Sequence, residues 1–258
     1  MRLTSEQFAK YKNAIDKLQA STASDLEKML RRVWTDAGKS DPDTLGAICV
    51  EYARAIAEKY GVSAATVSAA LWEDIYYNDT GSRLEALLPD DEPLDDYFGD
   101  AAASIVAGSV AAGDWAGMLS FLAGITTKAV HDYARRTQVE NTGRVVNGRR
   151  KGADEARFMR VPTGAETCAF CIMLAGRGPV YYTELSAGGG PEHGTEFDRY
   201  HAWCDCEIIA SFGKEFGVGP YDWTVYEDMY RNSVTYDDKG RVDLSGTLHN
   251  MRQNYGLK

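Results

Sequence analysis

Four of the chain's five cysteines fall within 39 residues. Cys168 and Cys171 form a C-x2-C pair, and Cys204 and Cys206 form a C-x-C pair after 32 intervening residues. His201 stands three residues ahead of the second pair, and His193 lies further up the same interval. Thiolates are soft, strong zinc ligands, and two short pairs brought together across a loop supply four tetrahedral donors. His201, or else His193, is the residue that would displace one thiol. The alternative is a group of reduced thiols that only pack, since free cysteine is among the most buried residue types. The interval holds Gly176, Gly178, Gly188, Gly189 and Gly190. Closing so flexible a loop costs chain entropy, which a metal clip would offset.

The compartment bears on this choice. The start, M-R-L-T-S-E-Q-F, has no apolar core of the kind a signal peptide needs. The most apolar region, Ala101 to Ile125, is rich in Ala and Gly and broken by Asp114, which predicts buried helices rather than a membrane span. A reducing compartment is therefore expected, where clustered cysteines favour metal over disulfide. The apolar and charged fractions, 44% and 26%, are those of an ordinary globular chain, and 258 residues suffice for a sizeable core. A net charge of −10 argues against wholesale coating of nucleic acid.

The pattern divides the chain into a helical region over 1–143, a small cysteine-rich α+β domain over 144–212 and a C-terminal extension over 213–258. Thr4-Ser-Glu-Gln7 and Ser24-Asp-Leu-Glu27 both fit a capping box and predict two helix starts. Phe8, Tyr11, Ile15 and Leu18 follow the first at helical spacing; Leu26, Met29, Leu30, Val33 and Trp34 follow the second. Asp41-Pro42 opens a third helix, Gly61 is read as its stop, and Ser63 as the cap of a fourth carrying Val67, Leu71, Trp72 and Ile75. Leu71 to Asp100 holds ten acidic residues against Arg83 alone, is broken by Pro89 and Pro93, and reads as a connector. It is either a solvated surface or a docking face for a basic partner. Two small-residue helices follow, over about 101–112 and 114–139.

A basic stretch comes next, with Arg144, Arg149, Arg150 and Lys151 as candidate contacts for nucleic acid or a partner. Net charge favours instead an exposed helix end and loop that pair with the acidic segment. Gly143, Asn147-Gly148 and Gly152 mark the boundary with the cysteine region. In the tail, Asp237-Asp-Lys-Gly240 reads as a turn, beside a short surface helix or an arm.

Catalytic readings fare less well. A zinc deaminase needs H-x-E ahead of P-C-x2-C; here the C-x2-C comes first and no Pro precedes Cys168. A thioredoxin-like C-x2-C needs a preceding strand in a βαβ setting, and Val161 to Thr167 does not predict one. A Cys/His hydrolase or transferase, with Cys168 or Cys204 as nucleophile and His193 or His201 as base, is compatible with the spacing. Metal ligation would tie up its thiolate.

The segment R-V-P-T-G-A-E-T-C-A-F-C-I-M-L-A-G-R-G-P-V-Y, followed after a Gly-rich gap by Y-H-A-W-C-D-C, resembles the minor capsid or MuF-like head morphogenesis proteins of tailed bacteriophages, in the form common in phages of actinobacteria. The resemblance covers Arg157 to Cys206. It implies a virion protein assembled in the host cytoplasm and present in few copies inside the procapsid. Its implied partners are the portal protein, other capsid or scaffold proteins and packaged DNA. It makes Cys168, Cys171, His201, Cys204 and Cys206 the family's signature and implies no enzyme. The competing expectation is a Cys/His-dependent, toxin-like effector or hydrolase delivered with the virion.

Overall fold

In the computed structural model the chain is described over residues 4–35, 41–89, 94–164, 167–183, 186, 204, 206–213 and 222–258. It is mainly α-helical, with a small two-stranded sheet beside the cysteines, as the sequence predicts.

Helix α1 (Ser5–Thr35) begins at the first capping box: Gln7 N donates to Thr4 Oγ1 at 3.2 Å and Thr4 N to Gln7 Oε1 at 3.0 Å. The second box starts nothing, because α1 runs through Ser24 without interruption. Buried Ile15, Thr22, Leu26 and Leu30 keep one helical phase across that point, and a continuing apolar face outweighs a local cap.

Helix α2 (Pro42–Thr80) opens as expected, with Asp41 accepting from Asp43 N and Thr44 N, and closes at Gly81, whose φ of 69° is left-handed. Gly61 does not stop it. A Cβ there would sit 2.2 Å from Cδ2 and 2.7 Å from Cγ of Tyr133, so this glycine is where the helix carrying Tyr133 comes close. Ser63 accordingly caps no fourth helix. The acidic connector is also shorter than predicted: Leu71 to Thr80 belongs to α2, and 82–89 lacks regular structure. A short α3 (Asp95–Phe98) then leads into α4 (Asp100–Ala112). Burial of Leu71, Trp72, Ile75 and Tyr76 continues the predicted apolar face of Val67, Leu71, Trp72 and Ile75 and carries the helix into the acidic stretch.

Gly113 ends α4, and Asp114 caps α5 (Trp115–Asn147), which extends well past the predicted residue 139 and contains both Gly143 and Arg144. Ser68 Oγ donates to Ala134 O at 2.7 Å and Trp72 Nε1 to Thr142 Oγ1 at 3.1 Å, so α2 and α5 run the same way. Helix α1 runs against α2: Asn78 Nδ2 donates to Gln7 Oε1 at one end, and Lys59 pairs with Asp25 near the other. Leu26, Leu30, Val50, Val106, Met118 and Leu122 fill one end of this bundle.

The other end of the bundle takes the sheet. Strand β1 (Arg157–Pro162) pairs antiparallel with β2 (Cys206–Ser211), from Arg157 opposite Ser211 to Pro162 opposite Cys206. A strand therefore does precede Cys168, contrary to the sequence expectation. Phe158, Met159, Arg160 and Val161 are all buried, so the alternation that signals a strand is missing. Its antiparallel pairing gives no βαβ unit. Beyond β2, Phe212 packs edge-on against Trp72 and Tyr76, and its N–H donates to Asp79 at 2.9 Å.

Helix α6 (Ala169–Ala175) follows β1, and the tail packs on it as α7 (Trp223–Arg231) and α8 (Leu244–Tyr255). The expected turn forms between them, with Asp237 N donating to Arg241 O and Gly240 at φ 73°. The tail is not a projecting arm: Met251 is fully buried against α6, and Ala169 N donates to Lys258 O at 2.9 Å.

The α2–α5 approach gives a direct test. Gly61→Ala is expected to cost about 2 kcal/mol, because overpacking of about 1–3 kcal/mol exceeds the gain of up to ~1 kcal/mol in helix propensity. Chemical denaturation checks it. Tyr133→Leu in the same chain should restore most of the loss, and a Gly61→Ala variant as stable as wild type would contradict the close approach.

Candidate metal centre

Cys168 is the N-cap of α6, and its sulfur accepts the N–H of Cys171 at 3.4 Å. The cap therefore turns the first pair toward a single point. Cys206 opens β2, fully buried, and Cys204 lies two residues before it, 2% exposed. The sulfurs of Cys171, Cys204 and Cys206 all lie within 4.8 Å of one another, and Cys171 Sγ is 3.2 Å from Cys204 Sγ. Cys168 stands beside this trio, its thiol hydrogen-bonded to Cys171. Both pairs predicted from sequence are thus brought together. His201 and His193 lie outside the described residues.

The donor set suits a thiophilic ion. In a tetrahedral zinc site with Zn–S bonds of about 2.3 Å, sulfurs stand roughly 3.8 Å apart, near the spacing seen here. Without a cation the thiols cannot all ionise. The Cys204 thiol is held well below its ordinary range by hydrogen bonds from Cys171 and Cys206, aided by the Arg135 charge. Cys171 is pushed up, chiefly by its hydrogen bonds to Cys168 and Cys204. Three buried cysteine sulfurs within 4.8 Å of one another form a site a divalent cation would complete. The fifth cysteine, Cys49, lies in the helical bundle, where burial raises its thiol to about 11.

The residues around the thiols come largely from α5. Arg135, 1% exposed, donates from Nε and Nη2 to Cys206 O at 2.9 and 2.6 Å, and from Nη2 to Cys204 O at 3.1 Å. Its Nη1 meets Asp132 at 2.6 Å, and Asp132 also takes hydrogen bonds from Lys128 Nζ and the Tyr97 hydroxyl. Burial by itself would raise the Asp132 carboxyl; Arg135 and Lys128 outweigh it and hold the group below its usual range. One turn before Arg135, His131 hydrogen-bonds Glu207 through Nδ1 and Gln19 of α1 through Nε2. His131 and Glu207 are both buried. One turn after it, Gln138 Oε1 accepts from Ala210 N at 3.2 Å. The outer edge of β2 is thus bonded by side chains of a helix rather than by a third strand.

Of Arg135, His131 and Glu207, the sequence offers only Arg135, and that as a member of the basic stretch rather than as a neighbour of the cysteines. The available signal was the spacing of His131, Arg135 and Gln138, which share one helix face. Polar residues on a helix ordinarily mark its solvated side, and here that face points inward.

The basic candidates divide. Arg144 donates to Glu85 O at 3.0 Å and to Asn141 Oδ1 at 2.7 Å, so it ties α5 to the acidic segment. Arg149, Arg150 and Lys151 are exposed in the turn after α5.

Residues 2–233 match the family described as VG15 protein. The chain belongs to the VG15 protein family. The Gene 15 protein of Mycobacterium phage D29 is 35% identical over a match that covers 22% of this chain and 29% of that protein. These matches mark this VG15 family member as a phage protein. No solved structure matches it. Among the described residues of this VG15 chain, no helix is long and apolar enough to cross a membrane.

Proposed function

We propose that this chain is a minor capsid or head morphogenesis protein of a tailed phage, of the MuF-like kind. It associates with the portal and with other capsid or scaffold proteins inside the procapsid, and it meets packaged DNA through Arg149, Arg150 and Lys151. A zinc ion bound by Cys171, Cys204 and Cys206, with Cys168 or His201 completing the set, holds the C-terminal half together. The zinc is structural, and the chain performs no catalysis.

The observation that carries this reading is the convergence of two sequence-distant cysteine pairs inside a phage-family chain. The trio is buried where α6 meets the start of β2, so it can clip a fold but presents no thiol to a substrate. The imidazole of His131 is engaged by Glu207 and Gln19 rather than by a cysteine. Such an arrangement supports a clipped scaffold for assembly over a Cys/His nucleophile.

A density map of the procapsid places the chain: density at the portal vertex on the inner face supports the proposal, and its absence from purified heads refutes it. Replacing Arg149, Arg150 and Lys151 with Gln together is expected to leave melting within about 0.5 kcal/mol of wild type, as exposed positions do. Sedimentation with portal or DNA should fall several-fold. Unchanged co-sedimentation with both would rule this surface out.

A further inference from the structure

We propose that Arg135 is a positioning residue of the thiolate site, reaching it from the helical bundle. This rests on the metal reading above. In an extended chain, side chains two residues apart point the same way, and so do their carbonyls. A C-x-C pair held extended can therefore offer both sulfurs to one ion. Arg135 ties the two cysteines to each other: its planar fork bonds the carbonyls of both Cys204 and Cys206.

Charge adds a second reason. Zinc held by three or four thiolates is a net anion, and a buried anion needs a nearby cation. Lys128, Asp132 and Arg135 lie on successive turns of α5 and are joined by ion pairs of 2.9 and 2.6 Å. Together they carry one net positive charge, and Arg135 is the member touching the cysteine segment. Asp132 aims the guanidinium rather than cancelling it. The metal centre is accordingly not a property of the cysteine-rich segment alone, because α5 supplies part of it.

Two full-length variants test this, by chelator competition for zinc and by the thiolate-to-metal band after cobalt substitution. Arg135→Met keeps the aliphatic stem and loses fork and charge, and it is expected to bind zinc about 10–100-fold more weakly. Arg135→Lys keeps the charge and loses the fork, and is expected to fall between the two. A far-UV spectrum shows that each variant is folded when measured. A folded Arg135→Met that holds zinc within threefold of wild type overturns the proposal, as does a Lys variant no better than Met. Should Arg135→Met not fold, the Lys variant decides: severalfold faster zinc loss supports the role, and wild-type retention overturns it. Wild-type protein with no zinc and no cobalt–thiolate band sinks the metal reading itself. A zinc-loaded wild type beside an equally tight Arg135→Met sinks only the role of Arg135.

Discussion

Cys206→Ser is expected to lose zinc and with it the cooperative melting of the C-terminal half. Serine is nearly isosteric with cysteine, and Cys206 is fully buried at the start of β2. If the thiol merely packed, the exchange would cost about 1–3 kcal/mol for burying a hydroxyl group. If it is a ligand, the loss approaches the binding energy itself, of order 10 kcal/mol for a structural zinc, comparable to a domain's whole margin of about 5–15 kcal/mol. The two readings of the cysteines are thus separated by magnitude. Metal content should fall from one equivalent to none, and a strong chelator added to wild type should reproduce the variant's melting curve. Cys49→Ser is the control: Cys49 lies outside the sulfur group, and its replacement should cost only the packing amount. A Cys206→Ser protein with wild-type melting and far-UV signal would remove the metal from the account.

His131→Leu is expected to lower stability by about 3–5 kcal/mol, the usual cost of breaking a buried polar pair from one side. His131 bridges Gln19 on α1 and Glu207 on β2, and Glu207 Oε2 already has no hydrogen-bond partner among the described residues. Removing the imidazole takes the hydrogen bond from Glu207 Oε1 at zero exposure and leaves that carboxyl group only the Tyr11 hydroxyl beside it. At roughly 2–4 °C per kcal/mol for a chain of this size, melting should fall by about 6–20 °C. His131→Leu with Glu207→Leu should recover part of it, since the double replacement strands no buried carboxyl group, although Gln19 still loses its partner. A single variant that melts within 2 °C of wild type would show that the pair contributes nothing.

Much of the helical framework was legible locally. Thr4 with Gln7 and Asp41 with Pro42 act within one turn of chain, so residue type and spacing suffice to place those starts. The same local reading misplaced Ser24 and Gly61. Each carries a correct local signal that neighbours distant in the chain overrule: a continuous apolar face on α1, and the Tyr133 ring against α2.

The cysteine pairs show the same division. Their spacing made a metal clip the natural reading, but spacing could not say what surrounds the sulfurs.

The sequence by itself determined the helix-rich class, several caps and the cysteine pairs as a unit, because those depend on side-chain chemistry over a few residues. Tertiary structure alone decided that α5 turns His131, Arg135 and Gln138 inward, that β2 has helix side chains as its second neighbour, and that the tail docks on α6. Those contacts join residues about 70 or more positions apart. A polar residue carries no mark of its burial until the partner that satisfies it is in place.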